Sequence, residues 1–110
     1  MAQARAVATR YTYLWEFLVV PERLGEFERH YGHSGTWAAL FRQSSGYIET
    51  LLLRDSANPL RFITIDRWES LEAYQSFRLR FSREYAELDE RCQHFTTKET
   101  SLGEYDEAIV

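Results

Sequence analysis

The segment at residues 11–20, with the sequence YTYLWEFLVV, constrains the fold more than any other part of the chain. Aromatic and β-branched residues dominate it and Pro21 follows it, which predicts a β-strand that ends where a helix begins. Side chains alternate between the two faces of a strand. Both faces are apolar here: the odd positions are Tyr11, Tyr13, Trp15, Phe17 and Val19, and the even positions include Leu14, Leu18 and Val20. The sheet that contains this strand therefore needs a covering layer on each side.

The next part of the chain predicts a helical connection and then two paired strands. Apolar residues recur at helical spacing from Glu22 until Gly32, and Ser34 is a candidate cap for a second short helix. Residues 47–54 and 62–68 are rich in apolar and β-branched side chains, which favours two strands. Turn-forming residues separate these two strands, so we expect them to form a hairpin.

The C-terminal half predicts a long helix followed by a final strand. Apolar residues follow one another at three or four positions from Ser70, with a break expected near Ser82. An extended segment is expected at about residues 94–100, and Gly103 then introduces a polar tail. The element order is therefore βαββαβ, in the α+β class. The predicted boundaries are a flexible N-terminal tail at residues 1–10, one domain at residues 11–101 and a C-terminal tail at residues 102–110.

The second face of the predicted sheet has no covering layer within the chain. Two helical segments can cover only one face of a four-stranded sheet, and 110 residues offer nothing for the other. We therefore expect a homodimer in which the sheets of two copies pack face to face. In such a dimer the space enclosed between the sheets is the natural ligand cavity. Seven Phe, seven Tyr and three Trp residues suit a cavity for a flat, hydrophobic ligand.

Composition and charge argue against several classes of partner. With 13 basic and 17 acidic residues the formal net charge is -4, which disfavours nucleic acid. No apolar run approaches the ~20 residues needed to span a bilayer, and the first ten residues lack the apolar core of a signal peptide. The single Cys92 cannot form an internal disulfide, which favours a reducing compartment. We therefore expect a cytoplasmic protein that binds neither membranes nor nucleic acid.

A recognisable pattern occurs where the third strand meets the long helix. The sequence DRWESLEAY at residues 66–74 places Trp-Glu-Ser at the end of a strand and a tyrosine on the following helix. Together with Trp15 and Pro21 at the first strand, it resembles the antibiotic biosynthesis monooxygenase family, and the resemblance covers nearly all of residues 11–101. This resemblance implies a ferredoxin-like protomer with a four-stranded antiparallel sheet, and two protomers that pair as a dimeric α/β barrel.

The resemblance also implies an activity and two residues of its site. Some members of the family are cofactor-independent oxygenases that oxidise phenols or quinols of polyketide type. Trp68 matches a tryptophan that lines the cavity in several of them, and Tyr74 resembles a tyrosine implicated in substrate binding. The resemblance therefore implies a monooxygenase that acts on a small aromatic or polyketide-like phenol or quinol without a cofactor.

Two departures from the family pattern support an alternative function. Thr64 stands where family oxygenases use an asparagine, and Phe77 and Arg78 occupy the stretch where other members have a helix histidine. The alternative is a non-catalytic dimer of the same fold that binds a small ligand or has a structural role. An open cavity that contains Asp66 would favour catalysis, whereas a cavity sealed by aromatic side chains would favour the structural role.

Asp66 is the candidate general base. If it alternates with Trp68 toward the cavity, it is a carboxylate among aromatic side chains, where burial raises the pKa of a carboxyl group. The structural alternative is a salt bridge to a nearby arginine, for which the candidates are Arg42, Arg61 and Arg67. Glu16 and Glu49 lie among apolar strand residues and present the same two possibilities.

The remaining candidate residues concern ligand and metal binding. We expect the substrate to contact Trp15, Phe17, Trp37 and Thr64, and Tyr74 to orient it. His30 and His33 could lie on one helix face as metal ligands, with Glu26 one turn earlier. Because Gly32 lies between them and no third ligand is specified, solvated or helix-ending histidines are the alternative. We expect no bound metal and no cofactor; the expected partners are a second copy of the chain and a small hydrophobic or aromatic ligand.

Overall fold

The structure is a computed structural model that describes residues 9–108. Its elements, in chain order, are β1 (Tyr11–Val19), α1 (Leu24–Tyr31), α2 (Thr36–Phe41), β2 (Tyr47–Arg54), β3 (Arg61–Trp68), α3 (Leu71–Arg80), α4 (Ser82–Cys92) and β4 (Thr96–Asp106). The strands form one antiparallel sheet in the order β2-β3-β1-β4, and a single 3-10 turn precedes α1. This is the ferredoxin-like α+β arrangement, so the predicted fold class is confirmed.

The helices begin and end for local reasons that the sequence shows in part. The Ser70 hydroxyl accepts a hydrogen bond of 3.1 Å from the amide of Ala73, so this serine caps α3 as expected. The predicted break is also present, because α3 ends one residue before Phe81 and α4 begins one residue after it. The prediction that Ser34 caps α2 is wrong. Gly35 occupies the cap position, where a Cβ atom would lie 2.6 Å from the carbonyl oxygen of Arg29.

The core is a layer of aromatic rings between the helices and one face of the sheet. Trp68 at the end of β3 is fully buried, with 0% of its surface exposed. Its ring lies 5.6 Å from that of Phe41 on α2 and 5.2 Å from that of Phe77 on α3. Aromatic pairs at these distances add to the stability that their burial provides. None of the helices at residues 9–108 is both long enough and apolar enough to cross a membrane.

The opposite face of the sheet has no covering element among residues 9–108. Its rows are set by the strand register, in which Leu14, Ile65 and Leu51 are neighbours and Glu16, Ile63 and Leu53 form the next row. Leu53 is 48% exposed and Leu51 is 39% exposed. The prediction that the helices leave one apolar sheet face open is therefore confirmed for one protomer.

The last strand is longer than predicted. β4 pairs with β1 as far as Asp106, so the prediction that the strand ends near residue 100 and that Gly103 begins a polar tail is wrong. Gly103 instead lies at a register shift within the strand, where its φ of 115° is a conformation that glycine adopts without strain. The predicted N-terminal tail at residues 1–10 lies mostly outside the described residues.

Candidate active site

A cavity of about 350 Å³ lies between the sheet and the helices of one protomer. Its walls combine aromatic rings with a few polar and charged groups: Tyr13, Trp15, Phe17, Tyr31, Trp37, Phe41, Thr50, Thr64, Asp66, Arg78, Tyr85, Asp89 and Glu99. The expected cavity between the sheets of two copies concerns the dimer and stays a prediction.

Asp66 contributes a buried carboxyl group to this cavity. It lies on β3 between Tyr13 of β1 and Thr50 of β2, and only 6% of its surface is exposed. The Thr50 hydroxyl donates a hydrogen bond of 2.5 Å to its Oδ1, and the hydroxyl groups of Thr50 and Tyr47 are 2.7 Å apart. Burial raises the pKa of Asp66 to about 7, against the opposing effect of the Thr50 hydrogen bond. The group can therefore accept or donate a proton near neutral pH.

The structure does not contain the salt bridge that was the alternative role for Asp66. Arg61 and Arg67 lie at alternate positions of β3, on the open face of the sheet, whereas Asp66 faces the helices. Arg61 pairs with Glu16 at 2.6 Å and Arg67 pairs with Glu49. The two glutamates that presented the same choice thus belong to surface ion pairs. Within residues 9–108, no arginine, lysine or histidine forms an ion pair with the Asp66 carboxylate.

The four expected ligand-contact residues all line the cavity: Trp15, Phe17, Trp37 and Thr64. Trp15 and Thr64 are register partners on β1 and β3, which brings them side by side on the floor formed by the sheet. Trp15 is 37% exposed and therefore lies at the mouth of the cavity. Trp37 reaches the same space from α2 and is buried.

The two residues that the family resemblance places at the site lie beside the cavity and not in its walls. Trp68 is fully enclosed by rings of the core, and its indole nitrogen has no hydrogen-bond partner among the described residues. Tyr74 packs on Tyr11, Tyr13 and Trp68, and its hydroxyl accepts a hydrogen bond of 2.9 Å from Arg78. Arg78 itself lines the cavity, so Tyr74 touches the site through this arginine.

Several lining residues were not predicted from the sequence, and each depends on a contact between distant segments. Thr50 reaches Asp66 through the register of β2 against β3, which a hairpin prediction does not specify. Tyr85 and Asp89 come from α4, one helical turn apart, which sequence periodicity could have placed on one face. Glu99 lies within the extended segment expected at about residues 94–100, but its place in the cavity wall depends on the pairing of β4 with β1.

The phenol groups in the cavity remain protonated at neutral pH. Burial, together with the nearby Asp66 carboxylate, raises the pKa of Tyr13 well above its usual value. Burial also raises the pKa of Tyr85 to about 12, and that of Glu99 is raised for the same reason. These tyrosines can act as hydrogen-bond donors to a ligand, whereas Asp66 is the lining group whose proton exchanges in the physiological range.

Histidines do not assemble a metal site in the described part of the chain. Residues 9–108 contain no group of three or more histidine, cysteine or acidic side chains placed to hold a metal ion. His33 is exposed beyond the end of α1. The ring of His30 stacks on Phe95 with 5.2 Å between centroids, and burial lowers its pKa. These positions match the alternative in which the histidines end a helix.

Solved structures of other proteins share this fold. SnoaB, a cofactor-independent oxygenase from Streptomyces nogalater, aligns with a TM-score of 0.68 at 19% identity over 94% of this chain and 97% of that chain. A conserved protein from Methanosarcina mazei Go1 aligns with a TM-score of 0.70 at 14% identity, over 92% and 95% of the two chains. PA3566 from Pseudomonas aeruginosa aligns with a TM-score of 0.61 at 18% identity, over 92% and 96%.

Comparison of sequences supplies the family. A search of the curated proteins finds no match. The family described as antibiotic biosynthesis monooxygenase matches residues 11–80, which is more than half of the chain. That range includes β1, the β2–β3 hairpin and α3, and hence Asp66 and most of the cavity wall. Because this match covers more than half of the chain, the chain belongs to the antibiotic biosynthesis monooxygenase family.

Proposed function

We propose that the protein is a cofactor-independent monooxygenase that oxidises a small phenol or quinol of aromatic polyketide type. The observation that supports this most is the position of Asp66, a carboxyl group without an ion pair among the described residues, in an aromatic cavity that opens to solvent. Membership of the family supports the same class of reaction. The open cavity favours catalysis over the structural alternative, which required the cavity to be sealed.

The reaction needs only a base, a dry cavity and a substrate that forms an electron-rich anion. Asp66 removes a proton from an activated ring carbon, and the electron pair of the broken C–H bond stays on the substrate. The anion reduces O₂ and combines with it, which forms a C–O bond and a peroxide. The peroxide takes up the proton that Asp66 removed. The second hydrogen of that carbon then leaves as a proton while the O–O bond breaks, so the carbon becomes a carbonyl group and the released hydroxide combines with this proton to form water. One O₂ is consumed for each CH₂ group that becomes C=O, with no external reductant.

Each part of the cavity has a place in this scheme. The aromatic walls, including Trp15, Phe17 and Trp37, exclude water and orient a flat ring system by stacking. Thr64 supplies a small polar side chain next to Asp66 on the same strand. Thr50 holds Oδ1 of Asp66, which leaves its other oxygen free to accept the substrate proton.

The test is oxygen uptake by the purified protein with a panel of phenols, quinols and anthrone-like tricyclic compounds, without added metal or flavin. We expect at least one compound to be consumed with one O₂ per molecule and with one atom of ¹⁸O₂ in the product. Asp66→Asn should lose this uptake, whereas Asp106→Asn, which removes an exposed carboxylate outside the cavity, should retain it. A ligand that binds in the cavity but causes no uptake would instead indicate the non-catalytic binding function.

We further propose that two copies associate through the open face of the sheet. The exposed Leu51 and Leu53 continue an apolar surface formed by half-buried Leu14, Ile63 and Ile65. Apolar patches of this kind on a small protein mark an interaction surface. A twofold axis would place the same face of each copy against the other, so the interface is self-complementary.

A further inference from the structure

Arg78 is the cation in the wall of the cavity, among the lining residues that the structure describes. It lies on α3, one helical turn after Tyr74. Its guanidinium carbon is 3.9 Å from the centroid of the Tyr85 ring, and its Nη1 donates a hydrogen bond of 2.9 Å to the Tyr74 hydroxyl. One aromatic ring thus supports the plane of the guanidinium group, and a second tyrosine fixes one of its edges.

The charge of Arg78 is not neutralised by a neighbouring carboxylate. Three acidic residues line the same cavity, Asp66 from β3, Asp89 from α4 and Glu99 from β4. None of them, and no other acidic residue at positions 9–108, lies within ion-pair distance of Arg78. A guanidinium group has five N–H donors, and the hydrogen bond to Tyr74 uses one of them. The others remain available to a ligand that enters the cavity.

We infer that Arg78 binds the ionised oxygen of the aromatic ligand, and that Tyr74 and Tyr85 position the guanidinium group for this contact. The inference rests on the proposed function and extends it. When Asp66 removes the substrate proton, the electron pair left behind is delocalised onto a ring oxygen. The Arg78 side chain lines the cavity but is also exposed to solvent. Its guanidinium group, which Tyr74 and Tyr85 hold in place, stabilises that charge because it needs no reorganisation when the charge forms. The ligand is therefore an aromatic compound with an acidic hydroxyl group, and Tyr74 acts through Arg78.

The test uses alizarin, a hydroxyanthraquinone that is already at the quinone level and whose absorbance changes when its phenol ionises. With the protein in saturating excess, absorbance against pH gives the pKa of the bound phenol. We expect that pKa to be about one unit lower in the wild type than in Arg78→Met, which is a tenfold difference in the ratio of ionised to neutral phenol at a given pH. Arg78→Lys should retain part of the difference, and Tyr74→Phe should lose part of it while the aromatic core stays intact.

Arg80→Met is the matched control, because Arg80 is an exposed arginine on the same helix that does not line the cavity. It should leave the pKa of the bound phenol unchanged, and thermal melts should show that every variant is folded. Equal phenol pKa values in the wild type and in Arg78→Met, with alizarin bound to both, would overturn the inference.

Oxygen uptake separates this inference from the proposed function. If Arg78 lowers the pKa of bound alizarin but no compound supports uptake, the anion site stands and the monooxygenase proposal fails. If uptake by Arg78→Met equals that of the wild type, the function stands and the role of Arg78 is overturned. Failure of alizarin to bind the wild-type protein would count against both proposals.

Discussion

At the scale of single residues, the buried position of the Asp66 carboxyl group affects the stability of the folded protein. The side chain is nearly inaccessible, and its one hydrogen-bond donor among the described residues is the hydroxyl of Thr50. Charged groups in such surroundings lose hydration that a single hydrogen bond does not replace. Ionisation of Asp66 at neutral pH therefore destabilises the folded protein, and we expect the site to trade stability for reactivity.

This cost predicts the pH dependence of stability. The pKa of Asp66 is about 7 in the folded protein and near its ordinary value of 3.8 in the unfolded chain. Well below pH 4 the carboxyl is protonated in both the folded and the unfolded state. Between pH 4 and 7 the folded state binds one more proton than the unfolded state, so the free energy of unfolding falls as pH rises. Above pH 7 the carboxyl is ionised in both states and the loss of stability is constant. Asp66→Asn should therefore be more stable than the wild type by roughly 2 to 4 kcal/mol at pH 8.

Urea denaturation of both proteins from pH 4 to pH 8 measures this difference. Taking the difference removes groups common to both proteins, such as Glu107, whose pKa is lowered to about 2 by its hydrogen bond with Arg67. The difference between the two stabilities should be nearly constant below pH 4 and should change in favour of Asp66→Asn as pH rises to 7. A difference that does not change with pH would mean that the carboxyl of Asp66 titrates normally.

The residues of the site differ in how far a sequence can predict them. Asp66, Thr64 and Trp15 follow from strand alternation, because odd and even positions separate the cavity face from the open face. Thr50 does not, because its contact with Asp66 depends on the register between β2 and β3, which is shifted near Tyr47. Strand alternation does not decide the position of Trp68, because an aromatic residue with this spacing can belong to the core or to a cavity wall. The structure places it in the core, beside the cavity.

At the scale of elements, β4 is a polar edge strand whose full length the sequence pattern did not predict. Its sequence, TTKETSLGEYD, lacks the apolar alternation that identified the other strands, and it includes a glycine. It forms nevertheless because β1 offers a complete set of backbone partners along one edge of the sheet. Beyond its end, the carboxylate of Glu107 accepts hydrogen bonds from Arg67 and Thr12, which fixes the chain against the open face.

The glycine at the register shift of β4 can be tested by substitution. Gly103 has a φ of 115°, and an added Cβ would lie 2.8 Å from the Tyr105 hydroxyl oxygen. Gly103→Ala should therefore reduce the free energy of unfolding by about 1 to 2 kcal/mol in thermal or urea denaturation. Gly25→Ala is the matched control, because Gly25 lies in α1 with nothing within 4 Å of the added atom. It should be stabilising by about 0.5 kcal/mol, and equal effects at both sites would contradict this account.

At the scale of the whole molecule, the two faces of the sheet have different roles. The helix-covered face encloses the cavity, and the other face presents apolar rows flanked by ion pairs. Arg61 with Glu16 and Asp55 lies at one end, and Arg67 with Glu49 and Glu107 at the other. The need for a second layer follows from the sequence of β1 alone, because both of its faces are apolar. The position of the cavity does not, because it depends on how the aromatic rings of four helices pack.

The proposed dimer is tested by a charge placed on this surface. Leu53→Lys puts a cation on the edge strand β2 at the end of an apolar row, where burial in an interface would remove it from water. We expect light scattering to give twice the chain mass for the wild type and a lower mass for Leu53→Lys at the same concentration. Leu79→Lys is the control, since Leu79 is 81% exposed on α3, away from this face. A wild type that is monomeric at high concentration would rule out the dimer.

The most direct test of the central claim is the pH dependence of oxygen uptake with a substrate found by the panel. If Asp66 is the base, kcat/KM should rise with pH to a plateau, with half of its maximum near pH 7, because the carboxyl must be ionised to accept the proton. Asp66→Asn should bind the substrate but show no uptake at any pH in this range. Undiminished uptake by Asp66→Asn, with the same pH profile as the wild type, would contradict the assignment of Asp66 as the catalytic base.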